Sequence, residues 1–268
     1  MTWGPQQSDA AILVTFDNFG EAFDIQRGRW PDDATPGTHH MPHRILPDLM
    51  DMLGHAGLKT TWFVEGCNAR LYPDQLRALN TAGHEIAIHG WQHETWAEQT
   101  AENRPGILHN CIEAFRTLGI RPTGFRPPGG AITPDTTRIM YQLGLEYVSP
   151  LGTDISRQNG VDIYPFQWRD VDALYFEPWL DQARQQVFGD IRLKSPADWA
   201  AALDATIDRC LNRKSCHVMV FHPYLLGTDG RMDILRSFLD RLSRHPAIWT
   251  PRMADFHRWH NRAEMALP

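Results

Sequence analysis

The stretch AAILVTFDN, residues 10–18, decides the fold. Seven uncharged residues, mostly aliphatic or aromatic, run to Phe16 and then meet an acid and an amide, Asp17 and Asn18. A continuous apolar run of this length reads as a strand covered on both faces, the habit of parallel sheets packed between helices. A buried strand that ends on two polar side chains presents them at its C-terminal end, where α/β folds build their sites.

The rest of the chain keeps the same rhythm. Residues 44–57 form an amphipathic helix closed by glycine, 60–64 a second strand, and 72–83 a helix with Pro in its first turn and Gly after its end. Strand 85–89, helix 107–118, strand 123–126, helix 135–143 and strand 145–149 follow. Residues 151–195, rich in aromatics and Asp without a clear period, read as loops and short strands over one face. The pattern resumes with helix 197–212, strand 217–222, helix 232–245 and a closing strand and helix. Strand–helix alternation implies parallel strands with right-handed crossovers, hence a barrel or a doubly wound sheet. With no repeat, linker or low-complexity segment, residues 1–268 read as a single domain.

Composition narrows the function. At 268 residues and 42% hydrophobic the chain can bury one large core, and its net charge is −6. Basic residues are scattered, with no run longer than Arg213-Lys214, which argues against nucleic acid and anionic membrane surfaces as partners. No apolar run approaches the ~20 residues of a membrane-spanning helix. MTWGPQQSDA lacks the basic start and apolar core of a secretory signal. Cys67, Cys111, Cys210 and Cys216 have no CxxC spacing and read as buried free thiols, so a cytoplasmic location is expected.

The chemistry sits at strand ends. Asp17-Asn18, His89, Arg126 and His222 each fall at or just past the C-terminal end of an expected strand, so a parallel sheet gathers them on one rim. In HGWQH, His89 and His93 are four apart, a spacing that on a helical turn lets both imidazoles share a metal. Neutral imidazole suits zinc first, then cobalt, nickel or iron.

TFDN, HGWQH, FRPPGG and VMVFHP occur in the order seen in the polysaccharide deacetylase family, which the chain resembles from residue 10 to about residue 223. GHEIAIHGWQH is the most specific piece and RPPGG the next. The resemblance implies an irregular (β/α) barrel of about seven parallel strands and a metal-dependent N-deacetylase. It implies Asp17 as the catalytic base, Arg126 as its orienting partner and His222 as the general acid. His89 and His93 match the family's two metal-binding histidines. The Pro-Pro-Gly-Gly turn, through Pro128 and Gly129, is placed to contact substrate, as is Trp91.

Two departures stand out. The family's second Asp, a metal ligand, is Asn18 here. Asn18 ligates through its neutral oxygen, or Asp17 itself takes the metal, or no tight metal binds, as in the allantoinase-like relatives whose segment carries a Glu where this chain has Glu21. The first is preferred because a metal-free site has less use for two imidazoles. Asp154 lies where the family places the acid that positions the histidine, but without the accompanying Trp. Glu65 and Asn68 reach toward the rim and read as an ordinary turn, and His39, His40 and His43 as a solvated cluster.

Trp91, Trp96, Trp168, Tyr175, Phe176 and Trp179 suggest a wall for stacking flat substrates. The segment GEAFDIQRGRWPDDATPGTHHMPH, long for a loop between the first strand and helix, is expected to narrow the site. The expected substrate is therefore a small N-acylated molecule or amino sugar. A metal-independent imide or ureide hydrolase and a non-catalytic carbohydrate binder remain as alternatives, and a homo-oligomeric state stays open.

Overall fold

Every residue of the first strand is buried because it is paired along both edges and packed on both faces. The structure, a computed structural model, describes residues 2–265; Met1 and residues 266–268 lie outside the described residues. Among these, nine strands join one sheet: β1 (Ala10–Asp17), β2 (Thr61–Val64), β3 (Glu85–Ile88), β4 (Gly124–Phe125), β5 (Tyr147–Val148), β6 (Ser156–Gln158), β7 (Val161–Ile163), β8 (Cys216–Phe221) and β9 (Ile248–Trp249).

The order is β6-β7-β5-β4-β3-β2-β1-β8, with β9 paired to the start of β1. Seven strands from β7 to β8 run parallel, and only β6 is antiparallel, to its neighbour β7. Two isolated parallel bridges, Leu151–Phe166 and Val171–Val220, carry the chain from the β5 side to the free edge of β8. The sheet thereby curls toward closure, which is the irregular (β/α) barrel expected, with eight parallel strands once β9 is counted, against the about seven expected.

Helices fall where apolar periodicity places them. Pro73–Thr81 begins on its proline, and Pro196–Arg213 is started by a capping box in which Ser195 and Asp198 exchange hydrogen bonds. The helix Leu46–His55 is preceded by a π-helical turn, Met41–Ile45. The segment expected to hold only loops and short strands also contains a helix, Asp181–Phe188. Its one buried side chain is Arg184, whose guanidinium donates to the carbonyls of Leu174 (3.2 Å), Pro178 (2.9 Å) and Ile191 (2.9 Å). Ala183, Val187 and Phe188 pack on the core beside it, but a charged residue at the centre of this narrow stripe weakens the apolar period.

The long segment after β1 does fold over the C-terminal rim. Buried Glu21 ties it down by accepting from the Gly37 N–H and the Tyr72 hydroxyl, and the short helix Ala22–Gln26 follows. The four cysteines are free thiols, two of them fully buried. No described helix is long and apolar enough to cross a membrane.

Candidate active site

Parallel pairing puts the last residues of β1, β2, β3, β4 and β8 on one rim, and each delivers a polar side chain there: Asp17, Glu65, His89, Arg126 and His222. A cavity of about 160 Å³ opens among them, lined by Asp17, Asn18, His89, His93, Arg126 and His222 on its polar side.

Asp17 and Arg126 form a buried ion pair, Oδ1 to Nη1 at 2.6 Å. Arg126 is 1% exposed and donates also to Thr15 Oγ1 (2.7 Å) and Ser149 Oγ (2.9 Å), with its Cζ 4.0 Å from the Phe63 ring centroid. The guanidinium is thus fixed by β1, β2 and the end of β5, and one Asp17 oxygen is held while the other, Oδ2, stands 4.0 Å from His89 Nε2.

The two histidines meet by a route other than a helical turn. No helix covers residues 89–95; Gly90 (φ 75°) and His93 (φ 62°) are both left-handed, and the turn brings the imidazoles to 4.9 Å between ring centroids. Glu94 closes it, its carboxylate accepting from the Trp91 N–H (2.8 Å) and the Gln92 N–H (2.7 Å). The left-handed region suits Gly90, where a Cβ would crowd Pro128 Cγ at 3.1 Å. His89 Nδ1 lies 2.9 Å from the Arg126 carbonyl, so Nδ1 carries the proton and Nε2 offers its lone pair to the site. Burial pushes His89 down to about 3 and His93 well below the usual imidazole range, so both are neutral and able to ligate.

The carboxylate missing at position 18 has a counterpart one strand away. Glu65 Oε2 accepts from the Phe19 N–H (3.0 Å) and Asn68 Nδ2 (2.9 Å), while Oε1 is buried without a partner. Glu65, His89 and His93 offer ligand atoms that all lie within 4.8 Å of one another. Asn18 is in the left-handed region (φ 63°), lines the same cavity, and its Oδ1 is also buried and unpartnered, as is His93 Nδ1. Buried acceptors left without donors cost about 1–3 kcal/mol each, and a cation among them removes that cost. The donor set of the cluster, one carboxylate and two neutral imidazoles, fits a divalent transition metal, and Asn18 lines the cavity with the two histidines. Glu65, read from sequence as part of an ordinary turn, belongs to this cluster because β2 and β3 pair in register and their ends coincide.

His222 is held by Asp172, not by Asp154. Asp172 Oδ1 lies 2.6 Å from His222 Nδ1 and Oδ2 accepts the His222 backbone N–H at 2.7 Å. Burial pulls His222 down, but the carboxylates of Asp172, Asp17 and Glu177, with Asp172 foremost, together offset it and leave its pKa raised. Asp154 is exposed and accepts from Thr153 Oγ1. Little in the sequence points to Asp172: residues 151–195 show no period, and its one signal is the apolar Val171 before it, which pairs with Val220 of β8.

Trp91 turns away from the cavity into a neighbouring groove, under the Arg70 guanidinium. Pro128 is buried behind the histidine turn, where its carbonyl accepts the Trp96 N–H, whereas Gly129 does line the cavity. Of the expected aromatic wall, Trp168 and Trp179 face the cavity, joined by Phe23, Phe166 and Tyr224. Trp96 and Tyr175 are core, and Phe176 packs on Trp199. His39 is buried and paired with Asp24 instead of solvated.

The sequence profile described as polysaccharide deacetylase matches residues 6–148, more than half of the chain. The chain belongs to the polysaccharide deacetylase family. It is 27% identical over 177 residues to the peptidoglycan deacetylase of Helicobacter pylori, covering 63% of this chain and 57% of that one. To chitin deacetylase 1 of Cryptococcus neoformans it is 35% identical over 105 residues, 39% of this chain and 22% of that protein. The chain thus spans from about a fifth to just over half of these relatives. In fold it resembles a Mycobacterium smegmatis protein described as a candidate polysaccharide deacetylase (TM-score 0.83, 24% identity, 100% and 95% of the two chains). It also resembles the Puue allantoinase (TM-score 0.77, 18% identity, 97% and 92%). In this member of the polysaccharide deacetylase family Asn18 follows Asp17, where an acidic pair was the expectation, and Glu65 accepts from the neighbouring Phe19 N–H.

Proposed function

We propose that this chain is a metal-dependent amidohydrolase that removes an N-acyl group, acetyl in the simplest case, from an amino sugar or a small N-acylated metabolite. The observation that supports it is the convergence of unpartnered buried acceptors on Glu65, His93 and Asn18 beside the free Nε2 face of His89. Glu65, His89 and His93, with the Asn18 oxygen, would hold the ion, zinc being the best match to this donor set and cobalt, nickel or iron the next. When bound, the ion supplies Lewis-acid polarisation of the scissile carbonyl.

The protein's own groups divide the proton transfers. Asp17, fixed by Arg126, takes a proton from the attacking water through Oδ2 as the C–O bond forms. His222, whose pKa Asp172 helps to raise, gives a proton in its charged form to the nitrogen as the C–N bond breaks, so carboxylic acid and free amine leave with protons balanced. The turn carrying Gly129 lines the cavity where carbonyl oxygen charge develops. The cavity's modest volume and its walls of Phe23 and Trp179 favour a small substrate or a chain end over the middle of a polymer. We take the cytoplasm as its compartment on the strength of the four free thiols.

The test is metal content of the protein as purified, by mass spectrometry of digested samples, with chelator inhibition of N-acyl hydrolysis. About one divalent ion per chain and chelator-sensitive turnover are expected. Metal-free protein with chelator-resistant turnover would favour a second reading, a metal-independent imide or ureide hydrolase. That reading draws on Glu65, which burial pushes up to about 8, so that without an ion it is a neutral acid able to donate a hydrogen bond.

A further inference from the structure

Charges around the cavity do not cancel. Asp17 is matched by Arg126, and His222 is matched by Asp172. Position 18 offers the cavity a neutral amide, and the carboxylate of Glu65 belongs to the histidine cluster and not to the cavity lining. The remaining charged side chain lining the cavity is Arg27, from the segment that folds over the rim. Its guanidinium has no hydrogen bond or ion pair among the described residues. It rests instead on aromatic faces, 4.6 Å from the Trp179 ring centroid and 5.4 Å from that of Phe23. Arg29, two residues on, contrasts with it: its guanidinium is bound to Asp24 at 3.1 Å.

The perch of Arg27 is itself built. Buried Glu177 accepts from Trp179 Nε1 (2.9 Å) and from the Tyr224 hydroxyl (2.9 Å), fixing two walls of the cavity at once. Phe23 stacks on Tyr224 with ring centroids 5.9 Å apart. A guanidinium laid over an ordered indole keeps its in-plane N–H donors free at the edge, the geometry that binds a carboxylate with two parallel hydrogen bonds.

We infer that Arg27 is a specificity residue that selects substrates carrying a carboxylate remote from the scissile amide, so that the preferred substrate class is N-acylated acids over neutral N-acyl compounds. The inference rests on reading this cavity as the amide-hydrolysing site. Trp179 and Phe23 would hold the guanidinium in place while the substrate's acyl end reaches the Asp17–His222 floor.

The experiment compares N-acetyl ω-amino acids of increasing length with their primary amides, which differ only in the charge. In the wild-type protein kcat/KM is expected to favour the acid, and in Arg27→Gln the acid-to-amide ratio should shrink by about tenfold or more. Arg27→Lys should keep part of the preference, because it retains charge without the stacked fork, and added salt should erode it. Calorimetric binding of the same pairs gives a readout independent of turnover. Arg27-dependent preference for the acids in binding, without hydrolysis of any amide, would uphold the specificity assignment and overturn the deacylase reading. Hydrolysis with equal acid and amide efficiencies, or a ratio unchanged by Arg27→Gln, would overturn the assignment of Arg27 and leave the deacylase reading standing. Absence of an Arg27-dependent preference in both assays also overturns it.

Discussion

Asp172 grips His222 twice, with one carboxylate oxygen 2.6 Å from Nδ1 and the other accepting the backbone N–H of the same residue at 2.7 Å. The double contact fixes the imidazole's position and keeps a proton on Nδ1, so that the proton gained when the ring is charged sits on Nε2. It also makes Asp172 the chief counterweight to the burial that would otherwise discharge the ring.

Asp172→Asn tests that relationship through the pH profile. A general acid works only while protonated, so activity falls as pH rises through the pKa of His222. Losing the carboxylate removes the largest influence that raises this pKa, and the basic limb of kcat/KM should move to lower pH. The maximal rate should fall by about 10²–10⁴-fold. A basic limb that stays in place would sink the assignment of His222 as the acid.

Glu65→Gln should strip the protein of metal, since it removes the one charged ligand of the cluster. Asn18→Ala should weaken retention less, by removing a neutral oxygen. Metal content after gel filtration decides between them. Full retention in Glu65→Gln would show that the ion, if present, is held elsewhere, and Asn18→Asp should tighten binding by restoring a second carboxylate.

Asp17→Asn should abolish turnover and also lower stability, because Arg126 would keep its charge in a buried site after losing its ionic partner. Breaking a buried pair from one side costs about 3–5 kcal/mol. The contacts of Arg126 to Thr15 and Ser149 place this case at the lower end. Denaturant midpoints measure the loss. Full activity in this variant would exclude Asp17 as the base.

Stability should decline on mild acidification partly through His84, at the entry of β3. Its Nδ1 accepts from Thr60, and burial, with Lys59 nearby, pushes its pKa down to about 4. The unfolded chain takes up a proton near 6.5 that the folded form refuses, so the contribution is whole above about pH 6.5. It is lost progressively toward pH 4, by up to about 3 kcal/mol. Unfolding free energies of wild type and His84→Gln across this range should converge as pH falls; parallel curves would refute the assignment.

Much of this was legible in residues 10–18 and their echoes. Strand and helix alternation, the rim positions of Asp17, His89, Arg126 and His222, and the resemblance to polysaccharide deacetylases all rest on local order, which a sequence records directly. The turn at His89–His93 was legible as a pair but not in form. A left-handed φ at His93 depends on the hydrogen bonds that Glu94 makes to its neighbours, and these are invisible to residue spacing.

By itself, the sequence determined the parallel α/β architecture and the chemical kinds of side chain at its rim, because apolar runs, period and strand-end residues are properties of contiguous segments. Only the tertiary structure decided which acid serves which partner. Glu65 joins the histidines through the registry of β2 with β3, and Asp172 reaches His222 through the bridge of Val171 to Val220. Arg27 reaches the cavity because Glu21 pins its segment to Gly37 and Tyr72. Each of these depends on the curl of the sheet and on long-range hydrogen bonds, which bring together residues whose separation along the chain carries no signal of contact.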